Sequence, residues 1–107
     1  MTRYTYVFIR RDIPLHAQLV QSSHAALELG LQLSPEKKPE KTSFLILLDA
    51  EDQAHLEKIA RYLDDRDIEF HKFFEPDYDM GYTAICTEPL SLDMRKHFKK
   101  FNLWKHK

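Results

Sequence analysis

Cysteine and glycine are scarce in this sequence, and each scarcity excludes a class of site. Its 107 residues include one cysteine, Cys86, and two glycines, Gly30 and Gly81. A single cysteine excludes an internal disulfide framework and a cysteine-rich zinc site, and within a strand it is usually a small core residue. Two distant glycines cannot form the glycine-rich loop that cradles phosphate in nucleotide-binding proteins.

Long apolar runs and an excess of charge of one sign are also missing. The longest unbroken apolar run, residues 44–48, is far shorter than a membrane-spanning helix, and the first residues do not resemble a signal peptide. With 16 Lys and Arg against 17 Asp and Glu, the formal charge is −1, so contact with nucleic acid would need a local basic patch. We expect one domain over residues 1–107 in the reducing cytoplasm.

Histidines and acids lack the spacing of metal sites. The six histidines form neither H-x-H nor H-E-x-x-H, so we expect no bound metal and no cofactor. Residues 75–88 hold four acids and no base. Closely spaced carboxylates can raise one another's pKa or hold a cation, and the alternative is a solvated hairpin loop.

Apolar patterns predict the element order β-α-β-α-β-β-α. Strands are predicted at residues 4–10, 42–48, 68–74 and 82–87, and helices at 14–33, 49–64 (capped by Asp49) and 92–101. Two crossover helices favour parallel pairing among the first three strands, and the short last connection makes the fourth strand antiparallel. The sequence therefore predicts an α/β fold, a three-layer sandwich around a four-stranded mixed sheet.

The first predicted helix has two unlike sides. At about 100° per residue, its more apolar stripe includes Leu19, Ser23 and Ala26, whereas Gln18 and Gln21 lie on the polar side. This pattern predicts that the Leu19 side packs on the sheet and that Gln21 stays on the wetter side.

Two segments resemble the type II peptidyl-tRNA hydrolases. Gln21, His24 and Ala25 match the Q-x-x-H-A motif of that family's first helix, and Thr83 and the residues after it match the closing half of its strand-loop-strand segment. The family's lysine is replaced by Ala17, and the first half of the loop motif is missing. The resemblance implies the same three-layer fold and a divergent bacterial or phage-type member with weak or altered hydrolysis of the ester between peptide and tRNA.

The resemblance and the chemistry of the side chains give a set of candidate catalytic residues. Gln21 and Thr83 would position water or substrate, Glu75 or Asp77 would stand in for the family's acid, and the His24 imidazole could accept a proton near neutral pH. The alternative for Gln21 is a solvated side chain, and for His24 a position at the helix–sheet seam.

Cations at the two ends of the chain predict RNA contacts. The last helix and tail carry several lysines beside the aromatic residues Phe98, Phe101 and Trp104, which could instead pack on the sheet. A crevice beyond the strand ends would bring Arg10 and Arg11 close to loop 75–81. The predicted RNA-binding residues are Arg10, Arg11, His16, Lys96, Lys99 and Lys100, and the alternative for both arginines is pairing with Asp12 or Asp79.

Three functions therefore remain open on the sequence. The first is a peptidyl-tRNA hydrolase, and the second is a non-catalytic module on the same fold that binds RNA or protein. The third is a dimerisation domain that associates through the sheet edge and Trp104.

Overall fold

One mixed sheet organises the computed structural model, which describes residues 2–105. Its strands are β1 (Tyr4–Arg10), β2 (Phe44–Ala50), β3 (Phe70–Glu75) and β4 (Gly81–Thr87), in the order β2-β1-β4-β3. β1 pairs with β2 in parallel, and β4 runs antiparallel to both β1 and β3. The α/β fold and the antiparallel last strand are confirmed. The predicted parallel pairing of the third strand is wrong, because β4 lies between β3 and β1.

One of the two central strands is β1, whose side chains are apolar in both directions. Tyr6 and Phe8 join the core on one face, and Val7 and Ile9 join the core on the other. A strand that is apolar on both faces must be covered on both. The helix α1 (Leu15–Gln32) covers the Val7 face, and α2 (Gln53–Asp64) covers the Tyr6 face.

The second helix begins later than its sequence pattern predicts. Asp49 continues β2 instead of capping a helix, and its backbone N–H donates to the Asn102 carbonyl at 2.9 Å. The cap is Asp52, whose carboxylate accepts the backbone N–H of His55 at 2.8 Å. The helix therefore starts where a side chain first satisfies an orphan N–H.

The first helix is rotated relative to the prediction. Its buried residues are Ala17, Gln21, Ala25 and Leu29, and Gln21 is only 4% exposed whereas Leu19 is 52% exposed. The prediction that Gln21 stays on the wetter side is wrong. Small residues let the helix approach the sheet closely, and the Gln21 amide is buried because it finds hydrogen-bond partners there.

The predicted last helix is also wrong, because residues Leu92–His97 form a 3-10 helix. Phe98 and Phe101 pack into the core on the α2 face, as one alternative predicted. The tail then follows the β2 edge, where the backbone N–H of Trp104 donates to the Leu47 carbonyl at 2.9 Å. Within residues 2–105, no helix is both long and apolar enough to cross a bilayer.

Candidate functional site

A β-bulge brings Thr83 under the first helix. In the β3–β4 ladder Phe73 pairs with Ala84 and Phe74 pairs with Tyr82, so Thr83 has no partner of its own. An extra residue in one strand re-aims the neighbouring side chains. Thr83 is fully buried, and its hydroxyl points to α1 and not to the opposite face.

Three of the predicted catalytic residues form one hydrogen-bonded chain. The Thr83 hydroxyl donates to Gln21 Oε1 at 2.7 Å, and Gln21 Nε2 donates to Glu75 Oε2 at 2.9 Å. We call this chain of Thr83, Gln21 and Glu75 the relay. The amide orientation follows from its neighbours, because a hydroxyl can donate to the oxygen and a carboxylate can only accept from the nitrogen.

The relay keeps the Glu75 carboxylate charged. Its pKa is lowered from the ordinary value, chiefly by the hydrogen bond from Gln21 and next by the backbone N–H of Asp77, which donates to Oε1 at 3.1 Å. Attraction from His24 adds to this lowering. Hydrogen bonds to the charged form favour ionisation, so Glu75 is a fixed anion at neutral pH.

His24 lies on the exposed side of α1 beside this anion. Its ring contacts the Phe73 ring, with centroids 5.3 Å apart. Gln21 and His24 are three residues apart, so they are neighbours on the helix surface. Gln21 is buried, whereas His24 is exposed to solvent. The structure therefore places His24 at the helix–sheet seam and close enough to Glu75 to influence its charge.

The loop between β3 and β4 is tightly wound and exposed. Asp77 is exposed, and the next two residues have left-handed backbones, with φ of 58° at Tyr78 and 53° at Asp79. A left-handed backbone is uncommon for a bulky residue such as tyrosine. The Tyr78 side chain is also 90% exposed. Tyr78 is not among the predicted site residues, and its only signal in the sequence is its position between Asp77 and Asp79.

The two arginines after β1 have different surroundings. Arg10 donates to both carboxylate oxygens of Asp12 at 2.9 Å and to the carbonyls of Met80 and Tyr82. Its side chain is only 13% exposed. Its hydrogen bonds to the two carbonyls tie the end of β1 to the start of β4. Arg11 is more exposed and lies 3.6 Å from a carboxylate oxygen of Asp49. Both arginines thus lie at the predicted strand-end edge, and both are paired with acids there.

The remaining predicted RNA-binding residues do not form one patch. His16 is exposed in the first turn of α1. Lys100 lies over the Tyr62 ring and shares a recess of about 250 Å³ with Arg11. Lys96 and Lys99 line a separate groove on the α2 side. Lys107, part of the same basic tail, lies outside the described residues.

Cys86 is a core residue, as its strand position predicts. It is fully buried between β1 and β3 and packs with Val7 and Ile9 on the α1 face. Burial raises the pKa of its thiol from 9.0 to about 12. Over residues 2–105 no three His, Cys, Asp or Glu side chains come together as a metal-binding group.

Comparisons with known proteins bear on the fold and not on the chemistry. No protein-family model matches the chain, and no curated protein matches it. Among solved structures, the chain is similar to a protein of unknown function from Agrobacterium tumefaciens, with a TM-score of 0.65 and 12% identity. The match covers 98% of this chain and 99% of that chain. At this level of identity, the likeness shows that the two chains share a fold.

Proposed function

We propose that this chain is a divergent peptidyl-tRNA hydrolase that cleaves the ester between a peptide and tRNA in the cytoplasm. The observation that carries the proposal is the relay, in which α1, β3 and β4 each contribute one residue. The same three residues are among those that the resemblance to type II peptidyl-tRNA hydrolases selects, with Glu75 as one of the two alternatives for the acid. Two hydrogen bonds, of 2.7 and 2.9 Å, hold them together.

The positions of the residues divide the work between them. Gln21 and Thr83 are buried, so they are positioning residues that hold the Glu75 carboxylate in place. In the proposed reaction the exposed His24 takes a proton from water as the water oxygen attacks the ester carbonyl. The same proton then passes to the ribose oxygen as the ester bond breaks. Glu75 stabilises the imidazolium in between, because opposite charges attract more strongly when held close.

RNA would approach this site along the exposed strand-end edge. Tyr78 offers an accessible ring on which the terminal base could stack. The acids of loop 75–81 oppose phosphate binding next to the site. Weak turnover follows from this repulsion and from the missing lysine.

Turnover of a peptidyl-tRNA tests the proposal. His24→Ala should lower kcat by roughly 100-fold or more, since a positioned general base contributes at least that much. Glu75→Gln should lower kcat as well while leaving the fold intact. Glu57→Gln, on α2, is the matched control and should keep the wild-type rate. Equal rates for His24→Ala and the wild type would contradict the assignment.

A non-catalytic binding module is the second candidate, and the burial of Gln21 and Thr83 favours it. Gln21 and Thr83 satisfy each other's polar groups, as structural residues do. On this proposal the chain would bind RNA or protein without turnover. Measurable tRNA affinity together with no ester cleavage, at any enzyme concentration, would select the module over the hydrolase.

Self-association is a proposal that rests on the outer face of α1. Five large apolar residues on this helix are at least 42% exposed, namely Leu15, Leu19, Val20, Leu27 and Leu31. Trp104, by contrast, packs beside α1 and donates its indole N–H to Gln18 at 2.7 Å, so it is poorly placed for a dimer contact. Light scattering should show a dimer that Leu19→Glu converts to a monomer.

A further inference from the structure

A groove opens on the α2 side of the sheet, away from α1 and the relay. It has a volume of about 700 Å³, within the range of small-molecule sites. One wall is the sheet, and the other is the 3-10 helix and tail that follow β4. The lining residues are Tyr6, Ile46, Leu48, Leu92, Asp93, Arg95, Lys96, Phe98, Lys99, Phe101 and Leu103.

The floor of the groove is rigid and apolar. Tyr6 and Phe98 stack face to face with centroids 3.8 Å apart, and both are nearly buried. Leu92 and Leu103 remain 62% and 57% exposed, although each lines the groove. An apolar body placed between these leucines and the floor would remove their side chains from water, which favours its binding.

The rim of the groove is positively charged. Arg95, Lys96 and Lys99 line it with one acid, Asp93, which accepts a hydrogen bond from the Ser91 hydroxyl. None of the three cations forms an ion pair with any residue from 2 to 105. The rim therefore has an excess of positive charge that an anionic group could neutralise.

The groove lining has few neutral polar side chains, and this indicates which kind of anion it can bind. Apart from the Tyr6 hydroxyl, the groove presents no neutral hydrogen-bonding side chain. A nucleobase buried there would leave its polar edge without partners, whereas an aliphatic body needs none. We propose that the groove binds a small amphipathic organic anion, with its acidic head on the lysine rim and its aliphatic body over the Tyr6–Phe98 floor.

Titration with decanoate, followed by backbone amide NMR shifts, tests this proposal. Saturable shifts should appear along the groove and not along the outer face of α1. Lys96→Glu/Lys99→Glu should weaken decanoate binding roughly tenfold, because two attractions become repulsions. Decanol, which lacks the charge, should bind the wild type as weakly as decanoate binds that variant.

Two further variants separate the groove from general charge and apolar effects. Leu92→Asp alters an exposed residue of the groove, so it should fold and lose decanoate binding. Lys38→Glu/Lys58→Glu makes the same change in net charge outside the groove and should bind like the wild type. Equal binding of decanol and decanoate, or shifts confined to α1, would overturn the proposal. Single-stranded oligouridylate binding at these amides, without decanoate binding, would overturn it too and assign the groove to RNA.

Discussion

Gln21 is a buried amide that uses both of its ends. Replacing it with leucine removes two hydrogen bonds and leaves the fully buried Thr83 hydroxyl without its partner. We expect Gln21→Leu to lower the free energy of unfolding by about 1–3 kcal/mol. Adding Thr83→Val should recover part of that loss, since no unpaired hydroxyl then remains. Urea unfolding of the wild type, both single variants and the double variant measures the coupling, and strictly additive losses would contradict the relay.

The relay also makes a prediction about proton binding. Because Gln21 donates to Glu75, Gln21→Leu should raise the pKa of Glu75 toward its ordinary value. A lowered folded-state pKa stabilises the fold above the unfolded-state value, and that stabilisation is lost as pH falls through the folded-state pKa. Carboxyl ¹³C shifts measured from neutral to acidic pH report the change. An unchanged Glu75 pKa in Gln21→Leu would contradict the hydrogen bond from Gln21.

Because its thiol is buried, Cys86 should make the free energy of unfolding fall at alkaline pH. Burial raises its pKa from 9.0 to about 12, so the unfolded chain loses this proton before the folded chain does. The stability that the protonated thiol contributes is fully present below pH 9. Between pH 9 and about pH 12 it falls by up to about 1.4 kcal/mol per pH unit. Cys86→Ala should show a shallower alkaline decline in urea unfolding. Identical slopes for the two proteins would mean that the thiol is not sealed from water.

At the scale of elements, the first helix separates what the sequence could predict from what it could not. Its existence follows from a long run without proline or glycine until Gly30, and its bounds match the structure closely. Its rotation does not follow, because both of its sides carry apolar residues. Close approach to the sheet selects Ala17 and Ala25, and most of the leucines (Leu15, Leu19, Leu27 and Leu31) are left outside.

Two substitutions on α1 test this rotation. Ala25 is fully buried against the sheet, so Ala25→Leu should overpack the interface and cost about 1–3 kcal/mol of unfolding free energy. Leu27 is 60% exposed, so Leu27→Gln should change stability by about 0.5 kcal/mol or less. Thermal unfolding of both variants, at a protein concentration at which light scattering shows a monomer, decides the matter. The opposite ranking would support the rotation that the leucine stripe predicts.

The candidate site depended on a feature that is invisible in the sequence. The strands that carry Glu75 and Thr83 were predicted within about two residues of their observed ends. The bulge at Thr83 was not, because it shows only in the pairing of β3 with β4. The resemblance to type II peptidyl-tRNA hydrolases puts Ala17 at that family's lysine position, but Ala17 is buried. At 5% exposure, Ala17→Lys would bury a charge instead of restoring an active-site cation.

At the scale of the whole molecule, the tail connects the two faces of the sheet. Phe98 packs on the α2 face, residues 102–104 follow the β2 edge, and Trp104 packs on the α1 face. The Trp104 indole reaches Gln18, whose own amide donates to the Ile13 carbonyl at 2.8 Å. The start of α1, the β2 edge and the wall of the groove are thus linked through one residue, Trp104, whose backbone bonds β2 and whose indole bonds Gln18.

Shortening that side chain should therefore affect both faces. Trp104→Phe keeps an aromatic ring but removes the indole N–H, which should cost about 1 kcal/mol of unfolding free energy. Trp104→Ala should cost about 2 kcal/mol or more, because it also removes apolar contact from a half-buried site. Urea unfolding followed by circular dichroism measures both, and Lys105→Ala is the neighbouring control that should match the wild type. If the tail holds the wall of the groove in place, Trp104→Ala should also weaken decanoate binding, although Trp104 does not line the groove. Unchanged stability in Trp104→Ala would mean that the two faces are held together without the tail.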